Sequence, residues 1–550
     1  MKLRLPRQKF QQYGRYPKAG LRKVGIVMSG LGLVSGLATW VDSTRGEAPR
    51  AAIIAQVGRP QPAGQPAPAT ETASIAELVR TEARERSFAP FKEVDEVKID
   101  IADTYDEYRR LRFQPSRALW HREPPGLELQ GLPLGWLFKR PIEVFAVENG
   151  SARQVHFTGA DFLDEREVAA DAHLKAVHMP LSGFRIGGPL NGIDKTDEII
   201  VFQGASYFRA LGRGHVYGLS ARGLAIGTAS SKGEEFPSFR KFWVEKPAAA
   251  SSDIVIHALL DSPSASGAYT FVVRPGAETV VDVTATLYSR RAIAEVGIAP
   301  LTSMFLVGPV NPARARDFRP RVHDSDGLAI LTGRGERIWR PISNPRKLEV
   351  SAFVDNNPRG FGLMQRRRVF ADFQDLEARY ERRPSAWVEF VGGVGPGSVF
   401  LVELPTEEEI HDNIVAFWRP REHLEKGREH ELRYRVRWRD DTPTQYMGPW
   451  VSDTRIGRAY FNVPAGSFHF VVDYLDRDRF NEVEGPVAKA SASAGAIRDL
   501  VSKPNPETGG VRVSFVFEPK GKESAELRLN LGDWDGRVPE TWLYRWTGDP

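Results

Sequence analysis

The chain has 550 residues, of which 41% are hydrophobic and 26% charged, so it is long enough for two or three ordinary globular domains. It contains no cysteine, which excludes disulfide bonds, thiol nucleophiles and cysteine-ligated metal sites. Residues 1–45 hold nine Lys or Arg and one Asp, a charge of +8, which leaves −3 of the formal +5 for the rest. The excess of positive charge therefore comes from the N-terminal residues and does not indicate nucleic acid binding.

Residues 1–45 have the pattern of an export leader. Eight positive charges and no acid precede Val24, and an apolar stretch of 18 residues diluted by glycine follows at 24–41. Positive charge holds an N-terminus on the cytoplasmic side while the apolar stretch enters the membrane. Two interpretations stay open: a signal peptide that is removed, or a permanent anchor, since 18 residues can just span a bilayer.

Residues 46–87 predict a loose tether that ends in a short helix. The segment up to residue 75 is rich in Ala, Pro, Gln and Gly, a composition typical of a flexible linker. Apolar residues at Ile75, Leu78 and Val79 with charges between them predict an amphipathic helix over residues 75–86.

From about Phe88 the pattern changes to short alternating or β-branched segments separated by turn residues. Examples are residues 142–147, 197–202, 269–273 and 279–288. Many strands and few helical periods predict an all-β fold, with a large β-sandwich over residues 88–428. Helical pieces are predicted only at residues 105–113 and 375–382.

A second β-rich unit is predicted over residues 429–546. Its first segment, residues 429–439, alternates well, with Leu432, Tyr434 and Trp438 on one face. Further alternating segments follow, and about 115 residues of such strands suit an immunoglobulin-like β-sandwich.

The sequence has no Walker loop, H-E-x-x-H motif or G-x-S-x-G elbow. The remaining candidates for a functional site are carboxylates that lie near aromatic residues. Residues 323–327 place Asp324, Asp326 and an imidazole in one turn. The alternatives for this turn are an Asx-turn, a cation site and a catalytic carboxylate. The turn lacks the later Gly and Glu of a calcium-binding hand.

A second acidic cluster lies at residues 407–412. The three glutamates at 407–409 have the pattern of a solvated loop. Asp412 differs because it directly precedes the β-branched and aromatic strand 414–418, where partial desolvation would suit a general acid.

Aromatic and polar residues interleave at 204–209 and 236–243. Flat rings stack on the apolar faces of sugars, while Arg and carboxylate groups bond the hydroxyls. Core packing is the alternative for about half of these rings. The predicted sugar-site or cleft-wall residues are Tyr207, Arg209, Glu235, Phe236 and Trp243.

These segments resemble the periplasmic glucan biosynthesis proteins G and D, the MdoG/OpgG family of Gram-negative bacteria. The resemblance spreads over about residues 88–545, with the best matches before 420. The matching stretches are residues 189–198, 202–212, 217–225, 233–237, 323–328, 383–387 and 412–418.

The resemblance implies a large galactose-mutarotase-like β-sandwich followed by a smaller immunoglobulin-like one. It implies a periplasmic role in making osmoregulated glucans, whose backbone is β-1,2-linked glucose. Some members are inverting β-1,2-glucanases and some relatives are transglycosylases. The expected partners are a β-glucan and the inner-membrane glucan synthase, with membrane contact through the leader only. No cofactor and no metal are implied.

The family pattern implies that Asp412 is the general acid and that Asp324 receives the proton from the attacking water. Inversion needs two carboxyl groups about 6.5–9.5 Å apart, or farther if a relay intervenes. The sequence departs from relatives at His411 and the three preceding glutamates, so hydrolysis and transfer both stay open. A non-catalytic glucan-binding scaffold is the main alternative, and an aldose epimerase rests on fold analogy alone.

Overall fold

The computed structural model describes residues 74–97, 104–108, 111–162, 176–311, 317–440, 448–534 and 536–548. The predicted leader and most of the predicted tether lie outside these ranges. The described chain is nearly all β-structure, which confirms the predicted all-β fold. Within the described ranges, no helix has both the length and the apolar character required to cross a membrane.

The strands up to residue 307 are β1 (Glu128–Pro133), β2 (Glu143–Glu148), β3 (Ser151–Gln154), β4 (Phe157–Thr158), β5 (His178–Met179), β6 (Leu181–Gly188), β7 (Asp197–Gln203), β8 (Tyr207–Ala210), β9 (Ser220–Arg222), β10 (Leu224–Ile226), β11 (Ser238–Glu245), β12 (Ile254–Asp261), β13 (Ala265–Arg274), β14 (Thr279–Ser289), β15 (Val296–Ser303) and β16 (Phe305–Val307).

The later strands are β17 (Val322–His323), β18 (Gly327–Leu331), β19 (Arg337–Pro341), β20 (Glu349–Asn356), β21 (Gly360–Met364), β22 (Ser385–Phe390), β23 (Pro396–Glu403), β24 (Ile414–Pro420), β25 (Glu429–Arg439), β26 (Trp450–Arg458), β27 (Phe468–Leu475), β28 (Ala488–Ala492), β29 (Ala496–Asn505), β30 (Gly510–Glu518), β31 (Ala525–Leu531) and β32 (Thr541–Trp546).

Helical structure is short. The α-helices are α1 (Ile75–Phe88), α2 (Tyr105–Tyr108) and α3 (Phe370–Phe373), and 3₁₀ turns lie at Pro115–Arg117, Gly159–Asp161 and Tyr380–Arg382. The predicted helix at 75–86 is therefore confirmed. Of the other two predicted helices, the structure describes only single turns, Tyr105–Tyr108 and Tyr380–Arg382, and the described residues around them lie in turns and irregular segments.

Two large sheets form the main sandwich. The ten-stranded sheet has the order β1-β6-β7-β8-β9-β15-β24-β23-β20, with β10 paired to β15. The fourteen-stranded sheet has the order β28-β31-β32-β19-β18-β21-β22-β25-β14-β13-β12-β11-β2-β3. These orders apply to the residues that the structure describes.

Phenylalanine rings fill the core between the two sheets. Phe184 lies 5.0 Å from Phe242, and Phe202 and Phe208 lie 5.1 and 5.2 Å from Phe271, between ring centroids. Because successive side chains of a strand point to opposite faces, strands that turn these rings inward present their other residues outward. The outer face of the ten-stranded sheet is thereby left for polar side chains.

A smaller sheet of order β26-β27-β30-β29 packs on the β31–β32 end of the fourteen-stranded sheet. Phe470 and Phe515 each lie 5.9 Å from Trp542, and Phe517 lies 5.3 Å from Trp546. The C-terminal sandwich therefore shares a sheet with the large one.

The segment predicted to open the second unit, β25, lies within the large sheet. It pairs antiparallel with β14 on one side and β22 on the other, and its Trp438 lies 5.8 Å from Phe208 of the large core. Its period-2 alternation correctly predicts a strand. That alternation carries no information about the neighbouring strands, which are set by the sheet order.

Helix α1 packs on the outer face of the fourteen-stranded sheet. Ser74 caps the helix by accepting a hydrogen bond from the Glu77 amide, at 3.3 Å. Val79 and Ala83 are buried against this sheet, and Arg80 forms an ion pair with Glu429. The end of the predicted tether is thus tied to the folded body.

Candidate functional site

Asp324 is a buried carboxylate between β17 and β18. Its backbone N–H donates to the Met304 carbonyl at 2.9 Å, and its carboxylate forms an ion pair with Arg383. The adjacent Ser325 hydroxyl bonds that of Ser303 at 2.8 Å. The position of the Asp324 side chain is therefore fixed, and its charge is balanced by Arg383.

A polar cluster surrounds this ion pair. The Arg383 guanidinium lies 4.1 Å from the centroid of the Tyr380 ring, and the Tyr380 hydroxyl donates to Glu409 at 2.9 Å. Arg319 contacts Glu409 at 2.8 Å and Asp375 at 2.6 Å. Burial raises the pKa of Tyr380 well above its ordinary value, so the phenol keeps its proton at neutral pH.

Asp412 reaches the same region through its neighbour. The Asn413 side chain accepts from the Phe305 amide at 2.8 Å and donates to the Phe305 carbonyl at 3.0 Å. Phe305 follows Met304, whose carbonyl accepts the hydrogen bond from Asp324. The segments that carry the two predicted catalytic acids are therefore both attached to the same dipeptide, Met304 and Phe305.

The other members of the His-Asp-Ser-Asp turn contribute to its structure. The His323 ring stacks on Phe305 with centroids 5.0 Å apart, and Phe373 contacts it edge-on. Asp326 accepts from the backbone amides of Arg366 and Arg367 at 2.5 and 3.0 Å. In the described residues, no group of three His, Asp or Glu side chains is arranged to hold a metal ion.

Protonation of His323 is expected to destabilise the fold in mild acid. Burial is the largest influence on this histidine and lowers its pKa below the ordinary value near 6.5. Stability from the neutral ring is fully present above about pH 6.5, and it is lost as pH falls, because the unfolded chain takes up the proton first.

We expect the free energy of unfolding to fall less steeply between pH 7 and 5 in His323→Phe than in the wild-type protein. Denaturant unfolding at several pH values, followed by tryptophan fluorescence, measures both slopes. Equal slopes in the two proteins would assign the acid sensitivity to other groups.

A connected row of polar side chains crosses the outer face of the ten-stranded sheet. Gln130 accepts from Arg185 at 2.8 Å, and Arg185 lies 3.5 Å from Glu198. Glu198 accepts from the Tyr217 hydroxyl at 2.5 Å, and the Arg209 guanidinium lies 5.2 Å from the Tyr217 ring centroid. The predicted sugar-site residue Arg209 therefore belongs to a face rich in donors and acceptors.

The row continues to Tyr207 and Phe236. Buried Arg222 lies between their rings, 5.2 and 5.0 Å from the centroids, and pairs with Glu234 at 2.7 Å. Burial raises the pKa of the Tyr207 hydroxyl; the Arg222 charge opposes this effect, and the Asp412 charge adds to it. The influence of Asp412 indicates that the row extends toward the predicted general acid.

Two of the predicted sugar-site residues have structural partners instead. Glu235 accepts from the Ser264 amide and hydroxyl at 2.9 and 2.5 Å, and so holds the turn after β12. Trp243 is only 4% exposed and stacks on Phe145 at 5.3 Å beneath α1. The structure does not bring Trp243 to the other four residues, because it lies on the opposite sheet.

Replacing Trp243 by Leu is expected to lower the free energy of unfolding by about 2 kcal/mol, because part of a large buried ring is lost. The affinity for a β-glucan should stay unchanged. Denaturant unfolding and a glucan-binding titration test the two halves of this prediction. Weakened binding in a variant of normal stability would instead place Trp243 at the sugar site.

Sequence reasoning missed several residues of this region. Arg222, Glu234 and Arg383 stand inside the stretches that match the family, but one segment alone does not reveal the partner of a buried cation. The sequence pattern predicts a solvated loop for Glu409, whereas its carboxylate contacts Tyr380 and Arg319. A carboxylate three residues before the predicted acid was the only signal for it.

Known proteins match this chain along most of its length. The family model described as "Periplasmic glucan biosynthesis protein, MdoG" matches residues 75–546. Glucans biosynthesis protein G of Shewanella sp. (strain W3-18-1) is 50% identical over 444 residues, 81% of each chain. The protein of the same name from Vibrio cholerae (strain ATCC 39315 / El Tor Inaba N16961) is 48% identical over 449 residues, again 81% of each chain.

Glucans biosynthesis protein G of Shewanella baltica (strain OS155 / ATCC BAA-1091) is 49% identical over 444 residues, which is again 81% of each chain. The family match includes both sandwiches and every residue of the candidate site. The resemblance inferred from the motifs is thereby confirmed, and the chain belongs to the MdoG family of periplasmic glucan biosynthesis proteins.

Proposed function

We propose that this protein acts in the periplasm on the β-1,2-linked backbone of a glucan, as an inverting hydrolase or transglycosylase. The name of the family and the names of its relatives support a role in periplasmic glucan biosynthesis. The observation that carries the catalytic part is the attachment of the Asp412 and Asp324 segments to the dipeptide of Met304 and Phe305.

The two acids have different proposed roles. Asp412 protonates the leaving glycosidic oxygen, while Asp324 takes the proton from the attacking hydroxyl on the other side of the sugar ring. The ion pair between Asp324 and Arg383 supports this division, because it fits a carboxylate rather than a carboxylic acid. Whether water or a sugar hydroxyl attacks decides between hydrolysis and transfer.

The polar row on the ten-stranded sheet supports a saccharide substrate. Arg209 supplies donors beside an aromatic ring, and the Tyr207 and Phe236 rings offer flat apolar faces. This combination is what sugar recognition requires. Because the row spans several strands, it would contact more than one glucose unit.

A non-catalytic scaffold that assists the inner-membrane glucan synthase is the second candidate. It requires a surface for a protein partner, and the small sandwich carries an exposed pair of aromatic residues. Tyr460 and Phe461 are 71% and 93% exposed in the loop before β27. Such a loop supports an interaction role for the small sandwich, with or without catalysis.

The deciding experiment incubates the purified protein with linear β-1,2-glucan and follows the products by chromatography and proton NMR. We expect shorter oligosaccharides whose new reducing ends appear first as the α-anomer, since inversion of a β-linkage produces it. Added acceptor sugar should be incorporated if transfer competes with hydrolysis. A lack of reaction on every linear and cyclic β-glucan would contradict catalysis and favour the scaffold.

A further inference from the structure

A cavity of about 650 Å³ opens at one end of the large sandwich. It lies among the β7–β8 turn, the β12–β13 turn and the start of β11, and residues 91–96 line it from the N-terminal side. Its volume falls within the range of small-molecule binding sites, about 300–1,000 Å³. Its lining includes three phenylalanine rings, a tyrosine and two arginines, namely Phe91, Phe138, Phe236, Tyr207, Arg140 and Arg240.

Arg240 is the unusual member of this lining. It is 9% exposed, its Nε atom is buried without a hydrogen-bond partner, and its guanidinium lies 5.8 Å from the Phe91 ring centroid. Within the described part of the chain, Arg240 forms no ion pair. Burial lowers the pKa of its guanidinium, and the attraction of Asp261 and Glu93 only partly offsets this effect.

The neighbouring carboxylates are already paired with other cations. Asp261 contacts Arg290 at 2.8 Å and Arg86 at 3.3 Å. Glu93 contacts Arg140 at 3.2 Å. A buried cation without its own carboxylate is costly, and an anion that enters the cavity would remove this cost.

The cavity is continuous with the polar row of the candidate site. Tyr207 and Phe236 line the cavity and also enclose Arg222, at the end of the row where Asp412 acts on Tyr207. A saccharide bound along the row would therefore direct one unit into the cavity. The rings of Phe91 and Phe138 provide apolar walls for a sugar ring there.

We propose that this cavity binds a saccharide unit that carries an acidic group, with Arg240 as the counter-ion of a phosphate ester or carboxylate. The inference rests on the proposed function for the saccharide part of the ligand. The requirement for an anion rests on Arg240 alone.

Isothermal titration of the full-length protein with small probes tests this inference. Glucose 6-phosphate and glucuronate are compared with glucose and with inorganic phosphate. We expect at least one acidic sugar to bind about tenfold or more tightly than glucose, the gain typical of a charge-assisted contact. The tighter of the two identifies the acidic group. Equal affinities for glucose and both acidic sugars would overturn the inference.

Inorganic phosphate separates the two parts of the ligand. We expect it to bind more weakly than glucose 6-phosphate, because the aromatic walls contact only the sugar. Equal affinity would contradict a saccharide ligand. The titration does not depend on turnover, so its failure is distinguishable from the absence of β-1,2-glucan cleavage, which would contradict the proposed function.

Variants assign the effect to Arg240. Arg240→Gln should abolish the preference for the acidic sugar, and Arg240→Lys, which keeps the charge, should retain part of it. Arg140→Gln is the matched control, because it removes a cation of the same cavity that is already paired with Glu93 and Glu96. A full preference in Arg240→Gln, or its loss in Arg140→Gln alone, would contradict the assignment. Thermal denaturation confirms that each variant is folded.

Discussion

Asp412→Asn is expected to lower the turnover of linear β-1,2-glucan by about 10²–10⁴-fold, the usual contribution of a general acid. The amide keeps the shape of the side chain but cannot protonate the glycosidic oxygen. The loop itself should stay in place, because Asn413 holds it to Phe305 and to the Leu404 carbonyl. The loss should therefore fall on kcat, while glucan affinity and thermal stability remain near those of the wild type.

Steady-state kinetics on linear β-1,2-glucan and thermal denaturation measure these effects. Glu407→Gln is the matched control, since Glu407 is an exposed carboxylate in the same loop. It should retain activity within about twofold, because exposed charges that make no close contact contribute little. If Asp412→Asn turned over the glucan at the wild-type rate, another group would have to be the acid.

Glu403→Gln is expected to lower the free energy of unfolding by about 3–5 kcal/mol, because it leaves a buried cation without its carboxylate. Glu403 contacts Arg340 at 3.1 Å and accepts from the Ser343 amide at 2.7 Å. Arg340 in turn lies 5.3 Å from the Tyr544 ring centroid. The pair thus joins the ten-stranded sheet to the fourteen-stranded sheet and to the last strand of the chain.

Chemical denaturation at neutral pH measures this loss of stability. Glu431→Gln serves as the control, since the pair of Glu431 with Arg433 is largely exposed. That change should cost less than about 1 kcal/mol. Equal effects of the two substitutions would show that burial does not determine the contribution of the Glu403 pair.

Much of the secondary structure could be predicted from residue patterns. Alternation over residues 279–288 predicts a strand that the structure places at Thr279–Ser289, and the apolar spacing near Ile75 predicts helix α1. Residues 105–113 are predicted to be helical, whereas among those that the structure describes only Tyr105–Tyr108 form a helix. A short helical pattern predicts a helix reliably only when tertiary packing stabilises the helix along its whole length.

The residues of the candidate site also differ in how well the sequence predicts them. Asp324 stands out in the sequence because two acids and an imidazole share its turn, and Asp412 because it directly precedes an apolar strand; their catalytic roles are implied by the family resemblance. For Trp243 the sequence leaves core packing and a sugar site as alternatives, because a ring in the core and a ring at a sugar site look alike in a single segment. Glu409 is a similar case, because an exposed glutamate and a glutamate that accepts a hydrogen bond from a buried phenol look alike in the sequence. Their surroundings come from other parts of the chain.

The sequence by itself determines the local properties of this protein: its strands, its lack of cysteine, the charge concentrated before residue 46, and the segments that carry acids. Only the tertiary structure decides which of these segments meet. Asp324 and Arg383 are 59 residues apart, and the Asn413–Phe305 bond joins residues 108 apart. The physical reason is that the alternation of a strand depends on the two faces of its own sheet, whereas its neighbours depend on the order of all the strands.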